Sequence, residues 1–425
     1  MSVSERPGVV RLVGRMDLRA PARVVDVDLV RTDPATPIDV APYKSLWCLS
    51  RRAGVPHGIS FWDVEHRQQV TVGEISSGLA EGADRTGADP FTAVPPRSSS
   101  ITVVICTFDR PLGLRRLLES LHRQSDPDFS ILVVDNAPRG PGAAGVLEEL
   151  GLARCRLVVE PRRGLSRARN RALGAVETDL VAWIDDDEVA DIDWVRGIKA
   201  GFSHPCHPAA VCGLMLPAEL ESEAQVRFEQ YGGFNKGRSI SPEILVAGSA
   251  QAPRPLYPLP AIGSGGNMAF EVETLRSVGG FDPCLGAGTS THGGEETRTF
   301  AVLLRSGHTV LHWPAAITWH FHRREMAALR RQFFGYSAGL TAFYASMVAS
   351  EPRVAGELVR ILASKLAEGT VRAPRSGTFG VTELPADFPT ALLRARTRGL
   401  VEGALRYGYE RLKNRIGFAG CSTTL

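Results

Sequence analysis

The sequence predicts an α/β protein with a Rossmann-like, mostly parallel sheet, and two observations predict it. Apolar, largely β-branched runs at Ile101–Cys106, Ile131–Val134, Leu157–Val159 and Leu180–Ile184 alternate with amphipathic helical stretches, as in a sheet covered on both faces. Each run ends in a polar break: Thr107-Phe108-Asp109, Asp135-Asn136, Arg162-Arg163-Gly164 and Asp185-Asp186-Asp187. In a parallel sheet these breaks share one rim, at the strand carboxyl ends where such folds hold ligands.

Residues 1–97 read as a β-rich accessory domain with a linker. Ala22–Val30 and Gln69–Gly73 alternate apolar and polar residues, the period of half-buried strands. Gly54–Ser60 reads as a turn between strands, and Ala93–Ser100 as a Pro/Ser linker. Residues 98–323 carry the strand–helix alternation. Helices are predicted over Leu112–Arg123, with Leu114, Leu117, Leu118 and Leu121 on one face, and over Ser166–Val176. Pro217–Pro260 reads as a long excursion near a site mouth. The small residues of Gly263–Asn267 permit close backbone approach to a ligand. A short helix over Glu271–Val278, a helix over Thr297–Arg305 and a strand over Thr309–His312 follow. Residues 324–425 read as a helical region broken by a loop around Pro374–Pro389.

With 425 residues, 44% hydrophobic and 22% charged, the chain has the composition of an ordinary globular protein of two or three domains. Seven cysteines without C-x-x-C spacing predict reduced thiols in a cytoplasmic protein, with neither a disulfide frame nor a zinc site. Met1–Arg31 has no apolar signal-peptide core, and no run is long enough to span a membrane. The net charge of +3 conceals an asymmetry. Residues 323–425 hold 16 basic and 8 acidic residues, so a tail of +8 follows a body of −5. Such a tail suits either a solvated helical surface or a peripheral contact with anionic lipid. Basic residues are not interleaved with aromatics as in nucleic-acid modules, so nucleic acid is not an expected partner.

The chemistry centres on Asp185-Asp186-Asp187. Like charges at the end of a buried strand are costly unless a cation joins them, which predicts a divalent metal and the phosphates it carries. The alternative is an Asp-rich turn capping the helix near Asp193. The other polar residues have the same two-sided character. Asp109 suits either a nucleoside contact or a helix N-cap. The arginines of Arg162–Arg171 suit phosphate binding or a solvated face. Glu295-Glu296 supplies a base or complements a helix dipole. His320 and His322, two apart on an extended segment, point the same way and suit metal ligation or a half-buried core.

Together these residues resemble those of family 2 glycosyltransferases with the GT-A fold, over about Ser98 to Arg324. Val104–Pro111 is similar to the family's first strand and nucleoside loop, with Thr107, Asp109 and Arg110, and Asp135-Asn136 to its second nucleoside-binding strand end. Gly164–Asn170, with Arg167, resembles the segment closing over the nucleotide. Trp183–Asp187 sits at the D-x-D motif, which implies Asp185 and Asp187 as metal ligands with Asp186 on the ribose or in a turn. Gly265-Gly266-Asn267 and Gly279–Asp282 resemble the acceptor and sugar side. Gly293–Glu296 resembles the G-G-E-D motif, implying Glu296, with Glu295, as catalytic base, and His320-x-His322 resembles the histidine completing the metal shell. In the base position Glu296 replaces Asp, extending the carboxylate by one bond, roughly 1.5 Å.

The resemblance implies an inverting transfer from a UDP- or dTDP-sugar to a hydroxyl acceptor, assisted by Mn²⁺ or Mg²⁺. The acceptor class is open among glycan, lipid-linked carrier, natural product and peptide, and the accessory strands suggest a homodimer. Two other classes remain. A nucleotidyltransferase should carry a Gly-rich phosphate loop after its first strand, where this chain has Thr107–Pro111. A non-catalytic nucleotide-sugar-binding scaffold should have lost acids that are all present.

Overall fold

The computed structural model describes residues 11–79, 99–152, 155–235, 240–248, 262–367 and 384–419. Most of the predicted linker Ala93–Ser100, the end of the Pro217–Pro260 excursion and most of the Pro374–Pro389 loop lie outside the described residues. So does Cys421. None of the other six cysteines forms a disulfide.

The amino-terminal module contains β1 (Arg11–Val13), β2 (Ala22–Asp28), β3 (Pro37–Asp39), β4 (Ser45–Arg52), β5 (Val55–Asp63), β6 (Gln69–Thr71) and α1 (Val72–Leu79). Its main sheet runs β1-β5-β4-β2, and β3 pairs with β6. The turn predicted over Gly54–Ser60 is mostly strand. The chain reverses in two residues, Ala53 (φ 52°) and Gly54 (φ 90°), and two left-handed residues match the twist of a tight hairpin. Successive β4 side chains go to opposite faces. Leu46 and Cys48 pack with Val64, Val70 and Ile75, whereas Trp47 and Leu49 pack with Leu214, Leu216 and Ile317 of the central sheet. Arg51 donates to Asp191, just beyond Ala190, at 2.5 Å.

The four sequence-read strands form a parallel block. β7 (Ile101–Thr107), β8 (Ser130–Asn136), β9 (Arg156–Glu160) and β10 (Leu180–Ile184) run in the order β9-β8-β7-β10. Between them lie α2 (Pro111–His122), α3 (Gly142–Glu149) and α4 (Leu165–Leu173). After β10 come β11 (Glu188–Ala190), α5 (Trp194–Phe202), β12 (Ala210–Pro217), α6 (Glu223–Gln230), β13 (Glu243–Leu245), β14 (Asn267–Glu271) and α7 (Val272–Ser277). The chain ends in α8 (Glu295–Arg305), β15 (Val310–His320), α9 (Met326–Ser350), α10 (Val354–Ala367) and α11 (Thr390–Ala419).

Of the second half of the sheet only the start of β15 was legible in the pattern, as the strand expected over Thr309–His312. β14 lies antiparallel between β10 and β12, and β12 runs parallel to β15. β14 reads Asn-Met-Ala-Phe-Glu, too short and too close to glycines to show a strand period. It is fastened by Asn267, whose fully buried amide donates to Leu214 O (2.8 Å) and Ala316 O (2.9 Å) and accepts from Trp194 Nε1 (2.9 Å). Its expected place on the acceptor or sugar side is therefore corrected: the side chain is a core staple. The helical region also shares the core of the central sheet, since Phe343 and Met347 of α9 cluster with Trp183, Phe270 and Phe300.

Asn267→Ala would leave two carbonyls and an indole N–H unpaired. We expect a loss of about 2–4 kcal/mol, read as a lower midpoint in thermal melts.

Candidate active site

The end of β10 and the start of β11 bring four acids together, each in a different environment. Asp186 is 5% exposed and accepts from Thr107 Oγ1 and Arg110 Nη1, both at 2.8 Å. It ties the β10 end to the loop after β7, the turn-type role. Asp187 accepts from Arg110 Nη1 at 2.8 Å and lies 3.5 Å from His320 Nε2 and 3.3 Å from Arg323 Nη2. Burial alone would raise its carboxyl, but His320, Arg110 and Arg323 hold it well below the usual carboxylate range. Asp185 is pushed up to about 6 by burial, which the nearby Arg169 opposes and Asp187 and Asp186 reinforce.

Glu188 was absent from the sequence reading. It is fully buried, and neither of its oxygens nor the Thr318 hydroxyl beside it has a well-formed hydrogen bond. Burial and Asp185 raise its carboxyl well above the ordinary value. The backbone of Gly266 abuts it: a Cβ there would lie 1.7 Å from Glu188 Oε1. Asp185, Asp187 and Glu188 each bring a carboxylate oxygen within 4.8 Å of the others. Three converging acids, one with orphaned buried oxygens, form a hard-oxygen donor set that suits Mn²⁺ or Mg²⁺.

Opposite this rim, α8 begins at Gly294 (φ 91°) with Glu295 and Glu296 in its first turn. Glu295 is buried and Glu296 half-buried. The connection between rim and helix is Arg169 of α4, only 1% exposed. Its guanidinium donates to Glu295 Oε1 and to Gly265 O, each at 2.9 Å, and lies 3.6 Å from Asp185 Oδ1. Burial, then Glu296, pushes Glu295 up to about 8 against the pull of Arg169. Sequence reasoning grouped Arg169 with a solvated face and singled out Arg167, which instead donates to Asn414 of α11. With arginine at every second position of Arg167–Arg171, no sequence signal distinguishes the inward one.

The other predicted residues divide into rim and frame. Asp109 is exposed, with a left-handed backbone (φ 55°), next to Phe108, whose ring has Arg163 at 4.5 Å and Arg139 at 5.3 Å. Asp135 is buried and accepts from Ala143 N at 2.9 Å, so one oxygen serves the start of α3. Asn136 donates to Glu160 O and Arg162 O and accepts from Gly164 N (2.9 Å). Asn170 donates to Phe281 O at 2.7 Å and accepts from Phe281 N at 2.9 Å. Both asparagines are engaged with backbone and shape the loops from behind. Of the two histidines, His320 faces Asp187. His322 uses both ring nitrogens, on His320 and on Glu229, and stands behind it.

Residues 102–247 match the family described as Glycosyl transferase family 2. A pre-mycofactocin glycosyltransferase of Mycobacterium tuberculosis is 27% identical over 273 residues, covering 62% of this chain and 52% of that protein. The chain thus spans about half the length of that relative. The succinoglycan biosynthesis protein ExoW of Rhizobium meliloti is 32% identical over 124 residues, 27% of this chain and 39% of its own length. Among solved structures, a mannosyltransferase from Pyrobaculum calidifontis in complex with GDP-Man and Mn²⁺ aligns with TM-score 0.44 and 16% identity, over 80% of this chain and 92% of that one.

A cation can be held by Asp185 only once its carboxyl has lost its proton. Mn²⁺ affinity, measured by calorimetry, should therefore rise between pH 5 and 7, with most of the rise near pH 6. A flat profile would show that no cation-binding carboxyl changes protonation over this range.

Proposed function

We propose that the protein is an inverting glycosyltransferase that moves a sugar from a UDP- or dTDP-sugar to a hydroxyl acceptor. The observation that carries this reading is the Arg169 network, which couples the acid rim to the start of α8. There Glu296 is half-buried and has no ion pair among the described residues. In this reading Glu296 takes the proton of the acceptor hydroxyl. The acceptor oxygen bonds to the anomeric carbon while the bond from that carbon to the diphosphate oxygen breaks on the opposite face. The bonding pair leaves with the nucleoside diphosphate, and the anomeric configuration inverts. Asp185, Asp187, Glu188 and His320 would hold Mn²⁺ or Mg²⁺, which when bound supplies charge neutralisation for the leaving diphosphate. Arg110 and Arg323 add positive charge at the same rim. Glu295, tied to Arg169, orients this end of α8 rather than meeting the acceptor.

Neither rival class has an observation in its favour. The loop after β7 is not a glycine-rich phosphate cradle, because Thr107 and Arg110 are committed to Asp186. The acids a scaffold would have lost are all present. The test is a panel of UDP-, dTDP- and GDP-sugars, assayed for hydrolysis with and without Mn²⁺. Glu296→Gln should lower turnover at least 100-fold while leaving nucleotide affinity nearly unchanged. Retained turnover would remove Glu296 from the base role, and metal-independent turnover would remove the cation.

We also propose that α11 lies on an anionic lipid surface. Val401, Leu405, Tyr409, Leu412 and Ile416 form one exposed apolar stripe, opposite the face carrying Gly403, Tyr407 and Glu410. Arg411, Lys413 and Arg415 flank it, a charge pattern that suits anionic headgroups and would repel a second copy of the same face. No helix of the described residues is long and apolar enough to cross a membrane, so the contact would be peripheral. The protein should sediment with phosphatidylglycerol vesicles and much less with phosphatidylcholine alone, and Leu405→Glu with Leu412→Glu should abolish sedimentation. A concentration-dependent dimer that ignores vesicles would favour self-association instead.

A further inference from the structure

Behind the acid rim runs a buried chain of polar contacts that the transfer reaction does not itself use. Trp47 Nε1 of the accessory sheet lies 3.3 Å from Glu229 Oε2, and Glu229 Oε1 lies 3.2 Å from His322 Nε2. His322 Nδ1 lies 2.8 Å from His320 Nδ1, and His320 Nε2 lies 3.5 Å from Asp187 Oδ1. All five side chains are buried or nearly so. We propose that Glu229, acting through His322, sets the tautomer and orientation of His320, so that an unprotonated Nε2 faces the cation site. This inference rests on the reading that Asp187 and His320 hold a divalent cation.

The assignment follows from donor and acceptor chemistry. An indole N–H only donates and a carboxylate only accepts. Glu229 accepts from the Trp47 indole at Oε2 and faces His322 Nε2 at Oε1, so the carboxylate acts as an acceptor on both sides. Facing that carboxylate, His322 Nε2 must carry a proton. Neutral His322 then has its lone pair on Nδ1, and the 2.8 Å contact is a hydrogen bond only if His320 Nδ1 carries the proton. With a cation bound, neutral His320 then presents the lone pair of Nε2 on the side of Asp187 Oδ1, in place of the proton that would otherwise pair with that carboxylate. Two acceptors facing each other are unfavourable alone and favourable around a shared cation.

The opposite assignment places a proton on His320 Nε2. With both rings neutral, it would then leave a His322 lone pair against the Glu229 carboxylate at 3.2 Å in a buried site, an uncompensated repulsion. The rings have little freedom to escape this by flipping. Phe234 packs on His320 (centroids 4.6 Å) and Phe228 on His322 (4.9 Å). Glu229 is hemmed in as well: a Cβ on Gly233 would come within 2.1 Å of its Oε1. Glu229 and His322 are positioning residues, and Trp47 extends their support into the accessory module.

Two measurements test this. Nitrogen-15 NMR of the histidine rings in the wild-type protein with Mg²⁺ should show the proton on Nδ1 of His320 and on Nε2 of His322, and the reverse pair would overturn the relay. Calorimetric Mn²⁺ affinity should fall 10–100-fold in Glu229→Met and His322→Phe, and a few-fold in Trp47→Phe, with folding checked by circular dichroism. A folded Glu229→Met protein that binds Mn²⁺ like wild type overturns the relay and leaves the cation site standing. Should a variant fail to fold, the wild-type NMR result decides. Wild-type protein that binds no Mn²⁺ overturns the functional reading, and the relay with it.

Discussion

The buried guanidinium of Arg169 is the constraint on which the site depends. An arginine removed from water needs partners for its charge, because losing one leaves an uncompensated charge. Here the partners come from three distant parts of the chain: Glu295 at the start of α8, Gly265 before β14, and Asp185 at the end of β10. Satisfying one cation therefore fixes the separation of the rim acids from the candidate base. The same requirement holds the glycine-rich approach to β14 against the site, where Gly266 meets Glu188.

Around that cation, carboxyl groups of similar intrinsic acidity are driven apart by their surroundings. Asp187, beside His320 and two arginines, stays ionised far below the usual range, whereas Glu188, buried without a donor, is pushed the other way. Asp185 lies between them, and Asp186 is absorbed into a structural bond with Thr107 and Arg110. A run of four consecutive acids thus divides into cation-facing and structural members by geometry alone. At the start of α8 the two glutamates differ in the same way, Glu295 buried and bonded to Arg169 and Glu296 half-buried.

The parts flanking the catalytic sheet contribute to its site. The accessory sheet packs on it through Trp47 and Leu49, bonds Asp191 through Arg51, and reaches Glu229 through the Trp47 indole. From the carboxyl-terminal side, Ser346 of α9 and Tyr407 of α11 both donate to Asp282, and Phe343 fills the core under β10 and β14. Divisions at residues 97 and 323 follow changes in secondary-structure pattern. The cores are continuous across them.

The sequence by itself determined the parallel block and its rim. Buried parallel strands need long β-branched runs, and the polar breaks after them are local, so β7 to β10 and the residues at their ends could be read one segment at a time. The Asp cluster, Glu295-Glu296 and the late histidines were legible for the same reason. Tertiary structure decided which polar residues face the cleft. Asn136, Asn170 and Asn267 carry side chains suited equally to a ligand and to a neighbouring backbone, and all three bond the protein itself. Arg167 and Arg169 differ by two positions in one helix, yet only Arg169 turns inward. β14 and the role of Glu188 depend on contacts across the sheet. Residue type and spacing encode the local preference of each segment, but burial and pairing are properties of distances between segments, which only the folded chain defines.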